Sequence, residues 1–238
     1  GLAGAGTAVS VSAGEAPVTW QSADAILARI QAPQFPARDF PITDYGAVNG
    51  MQADSTAAIR QAIEACAKAG GGRVVVPAGQ FLTGAIHLKS NVNLHLVEGA
   101  TLRFNTDPKA YLPVVRTRWE GVECMNYAAL IYAHDQQNIA VTGGGTLDGQ
   151  ADWDNWWAWN DKSKGPAKQK PARDRLLELG EKNVPVPDRV FGNGSFLRPN
   201  FIQPYQCRNI LIEGVTIIRS PMWELHPVLS ENITIRGV

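Results

Sequence analysis

Branched apolar residues alternate with polar ones in short runs along most of this chain, and three runs share one phrase. The phrase is Asn, two or three branched residues at alternate positions, then Gly five positions after the Asn. It occurs at Asn138–Gly143, Asn209–Gly214 and Asn232–Gly237, and Asn209 and Asn232 lie 23 positions apart. A weaker copy runs from Asn91 to Leu96. A strand-and-turn unit recurring near that period predicts a solenoid, and period-2 alternation within each unit makes it a β-solenoid. Asn138, Asn209 and Asn232 then occupy equivalent positions, where stacked side-chain amides form a hydrogen-bonded ladder rather than a reactive group. Stacked rungs give a long cylinder with a groove, a shape suited to a linear polymer.

Before the repeats, helical spacing predicts two helices. One short candidate spans Ser22 to Ile30, followed by a linker punctuated by Pro33, Pro36 and Pro41. Ile42–Gly50 reads as a strand closed by a turn. Asp54-Ser55-Thr56 then opens a helix running to about Ala69, with Ala58, Ile59, Ala62, Ile63, Cys66 and Ala67 on one stripe. Short strands follow at Arg73–Val76, Gln80–Thr83, Ile86–Leu88, Val92–Val97 and Thr101–Phe104. One helix followed by short strands fits a solenoid whose first rung is covered by that helix, since an open end would expose unpaired strand edges. Residues 150–195 break the repeat. They contain Trp153, Trp156, Trp157 and Trp159 and a basic, proline-bearing run, and they read as a loop carried on one rung.

Composition changes the picture little. The 238 residues are 45% hydrophobic, enough for one sizeable core, and 22 basic residues balance 22 acidic ones. Neutrality gives no footprint for nucleic acid or a membrane surface, and no apolar run is long enough to span a bilayer. Cys66, Cys124 and Cys207 form no metal-ligand or disulfide spacing and read as small buried hydrophobes. No metal or other cofactor is expected. Residues 1–13 are small and Gly/Ala-rich and end in Val11-Ser12-Ala13. They read as the remnant of a secretory signal, which implies a secreted or periplasmic protein. Residues 14–40 then form a linker with a short helix, and 41–238 the solenoid.

Three stretches carry a family resemblance. Asp44-Tyr45-Gly46-Ala47-Val48, Asp54–Ile59 and Gly71–Gly79 resemble the opening of pectin-degrading right-handed β-helices. Gly144–Gln150 looks like their rung turn. Leu197–Ile202, Asn209–Gly214 and Ser220–Val228 are similar to bacterial polygalacturonases of glycoside hydrolase family 28. The resemblance implies an all-β, right-handed parallel β-helix with an N-terminal capping helix. It implies a monomeric enzyme that hydrolyses α-1,4-galacturonosyl linkages of pectic polysaccharide with inversion. Alternatives on the same scaffold are a rhamnogalacturonan hydrolase and a non-catalytic carbohydrate-binding module.

Inverting hydrolysis needs a carboxylic acid on one side of the sugar and a carboxylate on the other. The family places its acids in motifs that follow the Ser-Pro-x-Trp stretch, so they are expected after Val238 and no residue here is assigned as catalytic. Asn105-Thr106-Asp107 matches one motif by letter but lies in the first rungs and reads as a turn. Asp148, between Leu147 and Gly149, also reads as a turn residue, and His87 and His95 as structural. The candidate substrate contacts are His226, Glu224, Arg198 and Trp223. Strand alternation places Glu224 and His226 on one face, with Trp223 and Leu225 packed inside. Arg198 offers a bidentate partner for a uronate carboxylate. The tryptophans of 153–159 either stack on sugars or plug the insertion. An insertion that walls off one groove end favours exo action.

Overall fold

A computed structural model describes residues 20–160, 162 and 165–238; the leader-like residues 1–13 lie outside them. The chain divides into two units, Gly1–Gln31 and Ala32–Val238. In the first, helix α1 spans Trp20–Leu27, close to its expected place.

The second unit is a parallel β-helix. Its opening turn comprises β1 (Asp39–Pro41), β2 (Gly50–Asp54) and helix α2 (Thr56–Lys68); the next rung is β3 (Gly72–Val76), β4 (Gly79–Thr83) and β5 (Ile86–His87). A third rung follows with β6 (Val92–Leu96) and β7 (Ala100–Phe104). An excursion carrying the hairpin β8 (Val115–Trp119) and β9 (Val122–Asn126) then leads to β10 (Ile131–His134). The fourth has β11 (Gln137–Gly143) and β12 (Thr146–Asp148), a longer excursion with helix α3 (Lys170–Glu181), and β13 (Ile202–Tyr205). The fifth contains β14 (Arg208–Glu213) and β15 (Thr216–Ile218), and β16 (Glu231–Arg236) stacks on β14 to begin a further rung.

These strands stack into three parallel sheets, ordered β1-β3-β6-β11-β14-β16, β2-β4-β7-β12-β15 and β5-β10-β13. Parallel strands joined by crossovers coil right-handed. Register puts like on like: Val74, Leu94, Val141 and Ile212 form one column. Phe81, Leu102, Leu147 and Ile217 form a second, and Ile86, Ile131 and Ile202 a third. Each buried branched side chain contributes about 1.5–3 kcal/mol, so the alternation seen in sequence is the core seen in section.

The asparagine ladder is present. Asn138 donates through Nδ2 to Asn91 Oδ1 at 3.0 Å, Asn209 to Asn138 at 3.0 Å and Asn232 to Asn209 at 3.1 Å. All four are left-handed, with φ of 66°, 53°, 55° and 55°. Asn tolerates that conformation better than other non-glycine residues, so one residue type satisfies both the turn and the ladder.

Helix α2 buries Ala58, Ile59, Ala62, Ile63 and Cys66 as expected and packs against β1, β3 and β5, the opening strands of two sheets. Asp54 belongs to β2, and its Oδ1 accepts the Thr56 N–H at 2.7 Å. Two local readings need correction. Ile42–Tyr45 is a 3-10 helix, not a strand, because left-handed Gly46 closes a tight turn on Ile42 and Thr43. The hairpin β8–β9 has no counterpart among the sequence-predicted elements; it stands outside the repeat and carries no repeat phrase.

The three cysteines are buried and unpaired. Burial pushes the Cys66 thiol up to about 11 and Cys124 up to about 12, so both remain protonated and unreactive.

Candidate functional site

Three excursions, 105–130, 149–201 and 219–224, leave the sheet containing β7, β12 and β15 and return to the sheet containing β10 and β13. They replace the same corner in successive rungs and therefore rise side by side. Isolated parallel bridges from Leu225 to Ile202 and from Val228 to Tyr205 dock the last return segment onto β13.

The hairpin is tied to this corner by complementary polar bonds. Thr117 Oγ1 donates to Gln203 Oε1 at 2.7 Å, and Tyr132 Oη donates to the Arg116 carbonyl at 2.6 Å. Trp119 Nε1 donates to the Arg198 carbonyl, Asn126 Nδ2 to the Leu197 carbonyl, and Tyr205 Oη to Glu123. Behind it Trp119, Cys124, Leu176, Phe191 and Leu197 form a second small core that joins hairpin to insertion. The corner is a packed wall.

His226 sits at its foot, half-buried. Its Nδ1 lies 2.9 Å from both Asn200 Nδ2 and Gln203 Nε2. The Thr117 bond assigns the Gln203 amide, so Nδ1 accepts and the proton resides on Nε2. Burial lowers the His226 pKa, and the nearby Arg118 charge lowers it further. Above about pH 6.5 the ring is therefore a neutral donor.

Trp223 stands beside it with ring centroids 5.0 Å apart at 78°. It is 55% exposed, which corrects the expectation that it packs inside. Residues 222–226 are not a regular strand, and only Leu225 makes a bridge, so strict alternation does not apply. Glu224 is exposed, as expected, while its carbonyl accepts the Ile202 N–H at 3.0 Å. Arg198 is also reassigned. Its Nε donates to Gln169 Oε1 at 3.1 Å and an Nη to the Pro221 carbonyl at 2.9 Å. It braces the insertion against the segment that carries Trp223.

The tryptophan run divides between its two readings. Trp156 and Trp159 are buried, edge to face at 4.9 Å. Trp153 is 60% exposed and rests edge-on against Trp157, whose Nε1 donates to the Ser220 carbonyl at 2.9 Å.

Three acids of the described corner, Asp107, Asp148 and Glu123, are occupied. Asn105 Oδ1 accepts the Asp107 N–H, and Asp107 Oδ1 accepts from Lys109 N, so Asn105–Asp107 is a turn opening a 3-10 helix. Asp148 is more than a turn residue. It is buried, accepts the Gln150 N–H at 3.0 Å, and is held by both Arg219 Nε at 2.8 Å and Arg219 Nη2. Glu123 is held low by the Tyr205 hydroxyl and Arg116. His95 Nδ1 lies 2.9 Å from Thr142 Oγ1, within a sheet and remote from this wall. Among the described residues no His/Cys/Asp/Glu group could hold a metal ion. What the corner offers is a neutral imidazole donor, an exposed indole and a free carboxylate, which together suit a sugar.

Burial lowers the pKa of His87, His95 and His226 alike. The unfolded chain binds more protons than the folded one once pH falls below about 6.5. Stability from these groups is thus full above that pH and declines as pH drops toward the folded values. The melting temperature is expected to fall between about pH 7.5 and about pH 5.5, before Asp39 and Glu123, both lowered, begin to protonate. A flat profile there would contradict the burial of these rings.

The sequence model of the family described as rhamnogalacturonase A/epimerase, pectate lyase-like, matches residues 40–97. A hyperthermoactive exopolygalacturonase from Thermotoga maritima superposes with a TM-score of 0.86 at 48% identity, over 91% of this chain and 49% of its own. A probable polygalacturonase from Vitis vinifera is 28% identical over 85% of this chain and 36% of its own length. The exo-poly-alpha-D-galacturonosidase of Dickeya chrysanthemi is 39% identical over 45% of this chain and 19% of its own. The chain thus spans half or less of the length of these relatives. Over the part that it spans, the chain is a homologue of the polygalacturonases.

Proposed function

We propose that this chain belongs to a hydrolase of pectic polysaccharide that cleaves α-1,4-galacturonosyl linkages with inversion, acting in exo fashion outside the cytoplasm. The observation that carries the reading is the 48% identity to an exopolygalacturonase, sustained over 91% of the chain. In this reading His226, Trp223 and Glu224 contact sugar and Arg198 holds the wall behind them. The wall of hairpin and insertion favours exo action by closing one side of the groove. No described helix is long and apolar enough to cross a membrane, and a polymeric substrate calls for an enzyme outside the cell. The match to the rhamnogalacturonase description ends at residue 97, before any candidate contact, so it speaks for the scaffold rather than the substrate.

The test is hydrolysis by the full-length protein of polygalacturonate against rhamnogalacturonan, with anomeric configuration followed by NMR. Release of β-configured galacturonic acid is the expected result; turnover of rhamnogalacturonan alone would transfer the reading to that substrate, and no turnover of either would leave a binding module. Trp223→Ala is expected to weaken galacturonan binding about tenfold, or about 1.4 kcal/mol, with an unchanged melting point because the ring is exposed. His226→Ala is expected to weaken binding and also cost about 1–2 kcal/mol of stability, since two amide donors lose their acceptor. Normal binding by both variants would remove the pair from the site.

A further inference from the structure

The sheet that runs from β1 to β16 carries on its outer face a cavity that the wall does not use. Val74, Leu94, Val141 and Ile212 point into the core, so the alternate residues Arg73, Asn93, His95, Thr142 and Glu213 point outward. With Pro33 and Phe35 of the segment before β1, they line a cavity of about 750 Å³. That volume falls in the range of small-molecule sites, roughly 300–1,000 Å³. His226 lies elsewhere, on the segment that docks onto β13 in another sheet.

Three side chains on this face form one relay. Thr142 Oγ1 donates to Asn93 Oδ1 at 2.9 Å and lies 2.9 Å from His95 Nδ1. A hydroxyl has one proton, so Nδ1 donates to it and His95 Nε2 is left as a bare acceptor. Asn93 Nδ2 is left as a donor, and no described residue bonds to either atom. Reversing the Asn93 amide reverses both roles and again leaves one donor beside one acceptor. Asn93 and Thr142 are each 7% exposed, which fixes the pair in place. Burial, with Arg73 adding to it, lowers the His95 pKa, so the ring is neutral at pH 7. The charges beside the relay are cancelled. Arg73 forks onto Asp39 through Nε and Nη2, each at 2.8 Å, and Glu213 accepts from Arg236 Nε at 2.5 Å. A donor beside an acceptor, an aromatic ring and balanced charge complement an uncharged pyranose. Its adjacent hydroxyls each give and take a hydrogen bond, and its C–H face packs on an apolar ring. An ionised uronate would find no unpaired cation in this lining.

We propose that this cavity is a second carbohydrate site, remote from the wall, where Asn93, His95 and Phe35 hold an uncharged, methyl-esterified sugar unit of the pectic polymer. The lining selects an uncharged pyranose; that the polymer is pectin rests on the reading above. Such a site anchors the enzyme on esterified stretches while the wall takes the chain to be cut.

The experiment is calorimetric titration of the full-length protein with methyl-esterified and with de-esterified homogalacturonan oligomers. It is repeated on Trp223→Ala, which weakens the wall, alone and combined with Phe35→Ala or Asn93→Asp. Trp223→Ala is expected to keep its affinity for the esterified oligomer, and that oligomer should shift the ring nitrogen signals of His95 by NMR. Phe35→Ala removes the platform. Asn93→Asp keeps the oxygen that Thr142 needs and replaces the donor. Each added change should weaken the esterified oligomer about tenfold. Undiminished affinity in both combined variants, or unmoved His95 signals, would overturn the proposal, as would a wild type that binds the acid oligomer alone; the galacturonan reading would survive each. Self-association of the wild type that Phe35→Ala abolishes, without oligomer binding at this face, would make a second copy the occupant and overturn it too. A wild type that binds neither oligomer would overturn both readings.

Discussion

Alanine at Gly143 is expected to prevent stable folding. The residue has φ of 112°, and a Cβ there would lie 1.9 Å from the Leu96 carbonyl oxygen and 2.8 Å from its carbon. Both atoms belong to the backbone of the stacked rung below and cannot rotate away. Relief would require separating two rungs of the sheet, so the expected loss is at least about 4 kcal/mol. The repeat supplies its own controls. At Gly214 the nearest atom is the Gly143 carbonyl oxygen at 2.7 Å with φ of 78°, and at Gly237 nothing lies closer than 3.9 Å with φ of 61°. Chemical denaturation should rank the losses Gly143→Ala, then Gly214→Ala at roughly 2–3 kcal/mol, then Gly237→Ala at about 1 kcal/mol. A Gly143→Ala protein that unfolds at the wild-type denaturant concentration would refute the observed stacking.

Asp148→Ala is expected to produce the largest loss among side-chain truncations of the corner. The carboxylate is 4% exposed and engages Arg219 through two nitrogens, Arg103 at 3.5 Å and the Gln150 N–H. Removing one partner of a buried pair costs about 3–5 kcal/mol. Both arginines retain partial access to water, which places the value near about 3 kcal/mol, or roughly 6–12 °C in melting temperature. Asp148→Asn keeps an acceptor for Gln150 and is expected to lose less. Arg219 is left-handed, with φ of 51°, and immediately precedes Ser220-Pro221, the segment leading to Trp223 and His226. The alanine variant should therefore also bind galacturonan more weakly. A melting point within 2 °C of wild type would show that the pair contributes little beyond its solvated alternatives.

The repeat phrase by itself determined the coil, its sheets, the apolar columns and the asparagine ladder, because a rung contacts its neighbours at equivalent positions and a local pattern repeated in register is already a tertiary contact. The stripe of α2 was legible for the same reason, since helical spacing names a face whatever covers it. Trp223 was misplaced because alternation presumes a strand, and the chain from Pro221 to Pro227 touches the sheet only at single bridges. Arg198 was misread because Pro221 stands on the next excursion and Gln169 far back along its own, and Asp148, a turn residue as read, also meets Arg219 of the next rung. The bond between Thr117 and Gln203 carries no sequence signal at all, since the two residues meet only across the fold. The scaffold is periodic and therefore local in information; the wall is aperiodic, and only the docking of three excursions at one corner decides which of their side chains meet.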